Sequence, residues 1–202
     1  NTVGADFTPG DGQALRVAWE LQGKRILLSV GRMSAEERYK GHDRVVAALP
    51  ALLKDGFDVV YVVVGEGDDH ARLRALAQQV GVADRVRFVG VLDPATLIEA
   101  YRMADLFVMP STGEGFGNAF LEAMACGTPA LGLDVAGARD ALADGELGTL
   151  TTEAQLTEAL ARLLSQGKPD ARALSAAVAR RFGREPFAAR ACAAIAGLRN
   201  AA

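Results

Sequence analysis

Residues 106–129 read Leu106-Phe107-Val108-Met109-Pro110-Ser111-Thr112-Gly113-Glu114-Gly115-Phe116-Gly117-Asn118-Ala119-Phe120-Leu121-Glu122-Ala123-Met124-Ala125-Cys126-Gly127-Thr128-Pro129. The first four form a continuous apolar run, the mark of a strand covered on both faces. A glycine-rich turn follows directly, then a short helix from Asn118 to Cys126, and Gly127 followed by Pro129 is a helix stop. Two carboxylates lie in this unit, Glu114 in the turn and Glu122 in the helix. The neighbours of Glu122 are Ala119, Phe120, Leu121, Ala123, Met124 and Ala125, so this helix has no solvated charged face. A carboxylate there needs a partner, because desolvating an unpaired one is costly. The glycines leave backbone N–H groups free at a helix start, where negative charge is favoured. Free amides beside two acids suit a ligand with both phosphate and hydroxyl groups. A purely structural reading stands beside it, with Glu122 paired to an arginine in the core and Glu114 solvated in its loop.

The same alternation extends in both directions. Arg25–Val30 is an apolar strand after a lead-in, residues 1–23, that includes a short helical piece from Ala14 to Leu21. A charged loop, Gly31 to Gly41, leads to a helix starting near His42 or Asp43, with Val45, Val46, Leu49, Leu52 and Leu53 on its apolar face and a kink expected at Pro50. Val59–Val64 is a β-branched strand, and a helix from about Asp68 carries Leu73, Leu76, Ala77 and Val80 on one side. Val86–Val89 (strand), Pro94–Arg102 (helix) and the opening unit follow. After them come Pro129–Leu133 (strand), Ala138–Leu142 (helix) and the short strand Gly148–Leu150. Apolar strands alternating with helices define an α/β chain with a parallel sheet and helices on both faces. Residues 24–150 form this sheet core. Residues 151–202 form a helical tail, with helices over 153–166, 170–182 and 186–199, and no linker divides the chain into two domains.

Bulk properties exclude several classes. With 50% apolar and 23% charged residues the composition is that of a globular protein. A net charge of −3 offers no general attraction to nucleic acid or anionic membrane, and no apolar run reaches the length of a membrane span. Asn1 is not an initiator methionine and no signal peptide is read at the start, so a cytoplasmic location is expected. Cys126 and Cys192 have no partner at metal spacing and are expected to be buried, reduced thiols; His42 and His70 form no metal pair.

Ligands of open parallel sheets bind beyond the carboxyl ends of the strands. That rule gathers the loops Gly31–Lys40, Gly65–Asp68, Gly90–Pro94 and Ser111–Asn118 on one rim. Arg32 and Lys40 would neutralise phosphates there, and Glu114 and Glu122 would take sugar hydroxyls, unless the two cations are ordinary solvated charges. Gly65-Glu66-Gly67 imitates a dinucleotide fingerprint, but His70 stands where its third glycine belongs, and no glycine-rich turn follows the first strand. Walker and nucleophile-elbow patterns are absent.

The Glu114-x7-Glu122 spacing within Glu-Gly-Phe-Gly…Leu-Glu-Ala-Met-Ala-Cys-Gly-Thr-Pro closely resembles the signature of the retaining glycosyltransferases of family 4, which have the GT-B fold. Ser29-Val30-Gly31-Arg32 with Lys40-Gly41, Val63-Val64-Gly65-Glu66-Gly67, Val86-Arg87-Phe88-Val89-Gly90 and Ala104-Asp105-Leu106-Phe107-Val108-Met109-Pro110-Ser111 are similar to that family's other motifs, in order. Asp140 stands where the family usually has Glu, and Gly132 and Leu133 also depart from its pattern.

The resemblance implies a Rossmann-like, donor-binding C-terminal half of a two-domain enzyme, with residues 1–23 similar to an interdomain linker. It implies that Arg32 and Lys40 hold the diphosphate of a nucleotide sugar and Glu122 the ribose hydroxyls. Glu114, with amides near Phe116, Gly117 and Asn118, would contact the transferred sugar, and the base would lie against main chain near Leu92. It further implies transfer of a hexose-type sugar with retention of configuration, without metal or other cofactor. The acceptor, a glycan, lipid or small molecule, would sit on the missing half, through which the whole enzyme could also associate with a membrane face. The other readings are a related GT-B nucleotide-sugar epimerase and a non-catalytic α/β nucleotide-binding module.

Overall fold

The computed structural model describes residues 1–200, with side chains through residue 196. Six strands, β1 (Arg25–Val30), β2 (Val59–Val64), β3 (Val86–Phe88), β4 (Leu106–Met109), β5 (Ala130–Leu133) and β6 (Thr149–Thr151), form one parallel sheet of order β3-β2-β1-β4-β5-β6. The order reverses between β1 and β4, so the helices that follow those two strands lie on opposite faces, a switch point at whose carboxyl ends such sheets form a ligand crevice. Every residue of β2 and β4 is buried, which is why both read as unbroken apolar runs.

Alternate residues of each strand supply two cores. Ile26, Leu28, Val60, Val62, Phe107 and Met109 face the helices α1 (Gln13–Ala18), α4 (Pro94–Met103), α5 (Asn118–Ala125), α6 (Ala136–Ala141) and α8 (Ala171–Phe182). Leu27, Tyr61, Val63, Leu106, Val108 and Leu131 face α2 (His42–Lys54), α3 (His70–Gln79) and α7 (Leu156–Gln166). The first two tail helices therefore complete the two faces of the sheet, α7 against α2 and α8 against α5. The last helix, α9 (Arg184–Asn200), follows α8.

Several expectations shift. Pro50 lies inside α2, which continues through it to Lys54 as one helix. The helix expected from Asp68 begins at His70, because the Asp68 and Asp69 carboxylates are engaged by the loop after β1. That loop is not irregular throughout: Ala35–Lys40 forms a 3₁₀ segment, capped by the Ser34 side chain at the Glu36 N–H. Cys126 is buried as expected, but Cys192 is exposed on α9, where Phe187 and Ile195 are exposed as well.

Candidate functional site

The loops leaving β1 and β4 meet beside the crevice. Gly41 ends the first of them at φ 78°, a conformation that favours glycine. A Cβ there would stand 2.3 Å from the Pro110 carbonyl oxygen, so the absent side chain also allows the close approach. The Thr112 N–H donates to the Tyr39 carbonyl at 2.9 Å, and the Tyr39 ring lies over Gly113. The first loop is also tied to the end of β2. Met33 N–H donates to the Glu66 carbonyl and Asp69 N–H to the Met33 carbonyl, both at 2.9 Å. Asp68 accepts the Ala35 N–H at 2.7 Å. Asp69, only 4% exposed, accepts from Arg38 at 2.9 Å and from both forks of Arg72 at 2.7 and 2.6 Å. These bonds fix the segment that carries Arg32 and Lys40.

The two cations converge on one carboxylate. Arg32 Nη2 donates to Glu37 Oε1 at 2.6 Å, and Lys40 Nζ donates to Glu37 Oε2 at 3.1 Å. Glu37 departs from helical backbone inside the 3₁₀ segment (φ −110°, ψ 25°). Desolvation alone would raise its pKa, but the hydrogen bonds and charges of Lys40 and Arg32 hold it below the usual carboxylate range. The Lys40 side chain is 13% exposed, against 78% for Arg32. The sequence singled out both cations but not Glu37, which is one charge among several in Glu36-Glu37-Arg38-Tyr39-Lys40.

Glu114 belongs to the same cluster. Burial raises its carboxyl above the ordinary value, Lys40 pulls it down and Glu37 pushes it up, which places all three within Coulombic reach. Its Oε1 is buried without a hydrogen-bond partner among the described residues. Among the described residues, no N–H from Glu114 to Ala119 donates to a protein acceptor, so the start of α5 presents a row of unpaired donors. Gly117 makes that start possible as the left-handed residue before α5 (φ 86°). Phe116 points inward, its ring edge-on to Phe182 at 5.8 Å, so only its main chain is offered to a ligand. Asn118 is exposed, and its Oδ1 accepts from Asn1 at 3.0 Å.

Glu122 is half-buried on α5. Its partner is not an arginine: the Tyr101 hydroxyl, from α4, donates to Oε2 at 2.7 Å. Tyr101 is fully buried, and desolvation with the adjacent Glu122 charge drives its pKa well up, so it remains a donor. Leu92, in the loop after β3, is half-buried against the α4/α5 core. The structure thus unites Arg32, Lys40 and Glu114 around Glu37, with the open amides of residues 114–119 adjoining. Glu122 lies on α5, paired with Tyr101, and Leu92 in the loop after β3. A cavity of about 480 Å³ between α1 and α4 is lined by none of these residues. A second, about 410 Å³, adjoins the β1 loop at Met33 and is lined by Gly65, Glu66, His70, Arg74 and Phe88.

Comparison with known proteins bears on this arrangement. Residues 13–180 match the family of Glycosyl transferases group 1. The chain is 37% identical over 177 residues to the D-inositol 3-phosphate glycosyltransferase of Acidothermus cellulolyticus, covering 81% of this chain and 39% of that protein. Among solved structures it resembles WaaG, a glycosyltransferase involved in lipopolysaccharide biosynthesis, at 28% identity and a TM-score of 0.71, over 90% of this chain and 50% of that one. It also resembles the C-terminal domain of LpcC, a group 1 glycosyl transferase from Francisella tularensis, at 26% identity and a TM-score of 0.67, covering 91% and 94%. The chain spans about two fifths of its curated relative's length and nearly all of an isolated C-terminal domain. Its six-stranded parallel sheet and helical tail are those of the C-terminal, Rossmann-like domain of the GT-B fold, and the chain belongs to the Glycosyl transferases group 1 family.

Proposed function

We propose that this chain is the donor-binding half of a retaining, family 4 glycosyltransferase that takes a hexose-type sugar from a nucleoside diphosphate sugar. The observation that carries the reading is the convergence of Arg32 and Lys40 at the crevice between β1 and β4, beside Glu114 and the unpaired amides of residues 114–119. Two cations suit a diphosphate, and free amides at a helix start suit its remaining oxygens or a sugar hydroxyl. Lys40 lies against β1, its Nζ 3.4 Å from where a Gly31 Cβ would be, so its ammonium is held close to the rim.

The assigned roles follow from that seat. Arg32 and Lys40 stabilise the leaving diphosphate electrostatically, which removes the need for a metal ion. Glu122 has one oxygen held by Tyr101 and keeps the other for ribose hydroxyls. Glu114 is offered to the transferred sugar, with the main chain at Phe116, Gly117 and Asn118 beside it, and the base lies along the main chain near Leu92. The acceptor would be held by a preceding half, so the 202-residue chain alone binds nucleotide without turning sugar over. The full enzyme would act in the cytoplasm, with any membrane contact made through that other half. Titration with UDP, GDP and ADP tests the proposal. Saturable binding that is lost in Arg32→Ala/Lys40→Ala and weakened in Glu122→Ala supports it; binding unchanged in both variants, alongside lowered stability, overturns it.

A further inference from the structure

The two cations are not free. Glu37 spans them, one carboxylate oxygen on each, and at 2.6 and 3.1 Å both contacts are charge-assisted hydrogen bonds. The side chains of Glu37 and Lys40 are 15% and 13% exposed, so this pair is shielded from the solvent that weakens surface ion pairs. Arg38 and Tyr39, the residues between them, are held by Asp69 and Thr112. The carboxylate is therefore carried on a fixed segment and turned inward at the one non-helical residue within it.

We infer that Glu37 is an internal competitor for the anion seat, an affinity-setting carboxylate that any phosphate ligand must displace from both cations. The inference rests on the donor-site reading above and goes beyond it. An incoming anion must compete with a carboxylate already bonded to both cations. A single phosphate group replaces two charge-assisted bonds with two of the same kind and gains little. A diphosphate brings a separate phosphate group to each cation and more acceptor oxygens than Glu37 can offer, so it gains more on exchange, while the cost of displacing Glu37 is common to both ligands. Arg32 has further N–H donors beyond the one given to Glu37, and its 78% exposure leaves it free to swing onto the ligand as Glu37 withdraws. Glu114 adds to that cost, since a second acid within reach of Lys40 repels any incoming anion.

The test is a matched set of calorimetric titrations of the whole chain with UDP and UMP, GDP and GMP, and ADP and AMP, followed on the base that binds. Glu37→Gln keeps the size and the loop hydrogen bonds while removing the charge, and Glu37→Ala checks that the amide itself introduces no contact. Circular dichroism establishes that both variants remain folded. The expected result is that both substitutions tighten the monophosphate and the diphosphate by a similar factor, at least about tenfold. Affinities left unchanged or lowered, or a tightening confined to one of the two ligands, overturn the inference and make Glu37 a scaffold for the cations. Should the unsubstituted chain bind no nucleoside diphosphate, it is the donor-site reading that fails, a result separable from either outcome for Glu37.

Discussion

His42 is the first residue of α2 and is 6% exposed, with Nδ1 2.9 Å from the Tyr61 hydroxyl. Tyr61 in turn donates to Ser29 at 2.8 Å, and Ser29 donates to the Val108 carbonyl, so a polar chain crosses the sheet under the candidate site. Burial, with the Lys40 charge acting in the same direction, lowers the imidazole pKa from 6.5 to about 4, against the smaller opposing influence of Asp43 and Asp69. The folded chain therefore refuses a proton that the unfolded chain accepts. The folded pKa is depressed, so the stability tied to neutral His42 is fully present above pH 6.5 and is lost as the pH falls from 6.5 through about 4. A depression of that size corresponds to ~3 kcal/mol in full, roughly 1 kcal/mol of it lost by pH 5.5 and between about 2 and 3 by pH 4.5. His42→Asn keeps a donor near Tyr61 and cannot titrate. Urea denaturation of both proteins from pH 7.5 to 4.5 isolates the effect, because every other carboxylate and histidine is common to the pair. The variant is expected to be the less stable at pH 7.5, where it has lost packing, and its deficit is expected to shrink by about 2 kcal/mol or more at pH 4.5. A stability difference that stays constant across this range would refute the claim that His42 is held neutral by burial.

Three further outcomes are expected. Glu122→Ala leaves the buried Tyr101 hydroxyl without its acceptor and should cost about 1–3 kcal/mol in denaturant unfolding, whereas Tyr101→Phe, which removes the donor from a half-buried acid, should cost less; an equal or reversed order would contradict the pairing. Gly117→Ala meets both a left-handed backbone (φ 86°) and the Phe120 ring at 2.7 Å, and should lower stability by ~1–3 kcal/mol in a thermal melt and disrupt the amide row before α5; an unchanged melt would show that the turn relaxes freely. Asp69→Asn weakens the charged bonds to Arg38 and Arg72 that fix the β1 loop, and is expected to weaken nucleoside diphosphate binding several-fold in calorimetry although Asp69 touches no ligand; affinity equal to that of the parent chain would remove Asp69 from the positioning of the cations.

The sheet was legible because its chemistry is local. A parallel strand covered on both faces must be apolar at nearly every position, and Val59–Val64 and Leu106–Met109 satisfy that with every residue buried. Helix limits were less legible where side chains serve the tertiary structure. Asp68 and Asp69 look like helix-capping residues, yet their carboxylates are taken by Ala35 and by Arg38 and Arg72, and α3 starts after them. The 3₁₀ segment Ala35–Lys40 carries no apolar period because long-range bonds, not amphipathicity, shape it. Nor could the exposure of Cys192 be read from its Ala-rich surroundings, which fit a buried helix and a lightly covered one equally well.

The candidate site divides along the same line. Arg32, Lys40, Glu114 and Glu122 stand out because charged residues beside strands or within an apolar helix violate the local pattern, and the need of Glu122 for a partner followed from that alone. The identity of the partner did not. Tyr101 lies 21 residues away on a different helix, its ring buried like any core aromatic, and only the packing of α4 against α5 turns its hydroxyl toward the acid. Glu37 escaped for the opposite reason. In Glu36-Glu37-Arg38-Tyr39-Lys40 its charge is one among several and breaks no pattern, and what distinguishes it is a backbone turn that a charge sequence does not encode. The cations of a binding site can therefore be read from sequence as exceptions. The group that governs them when no ligand is present resembles its solvated neighbours until the loop is folded.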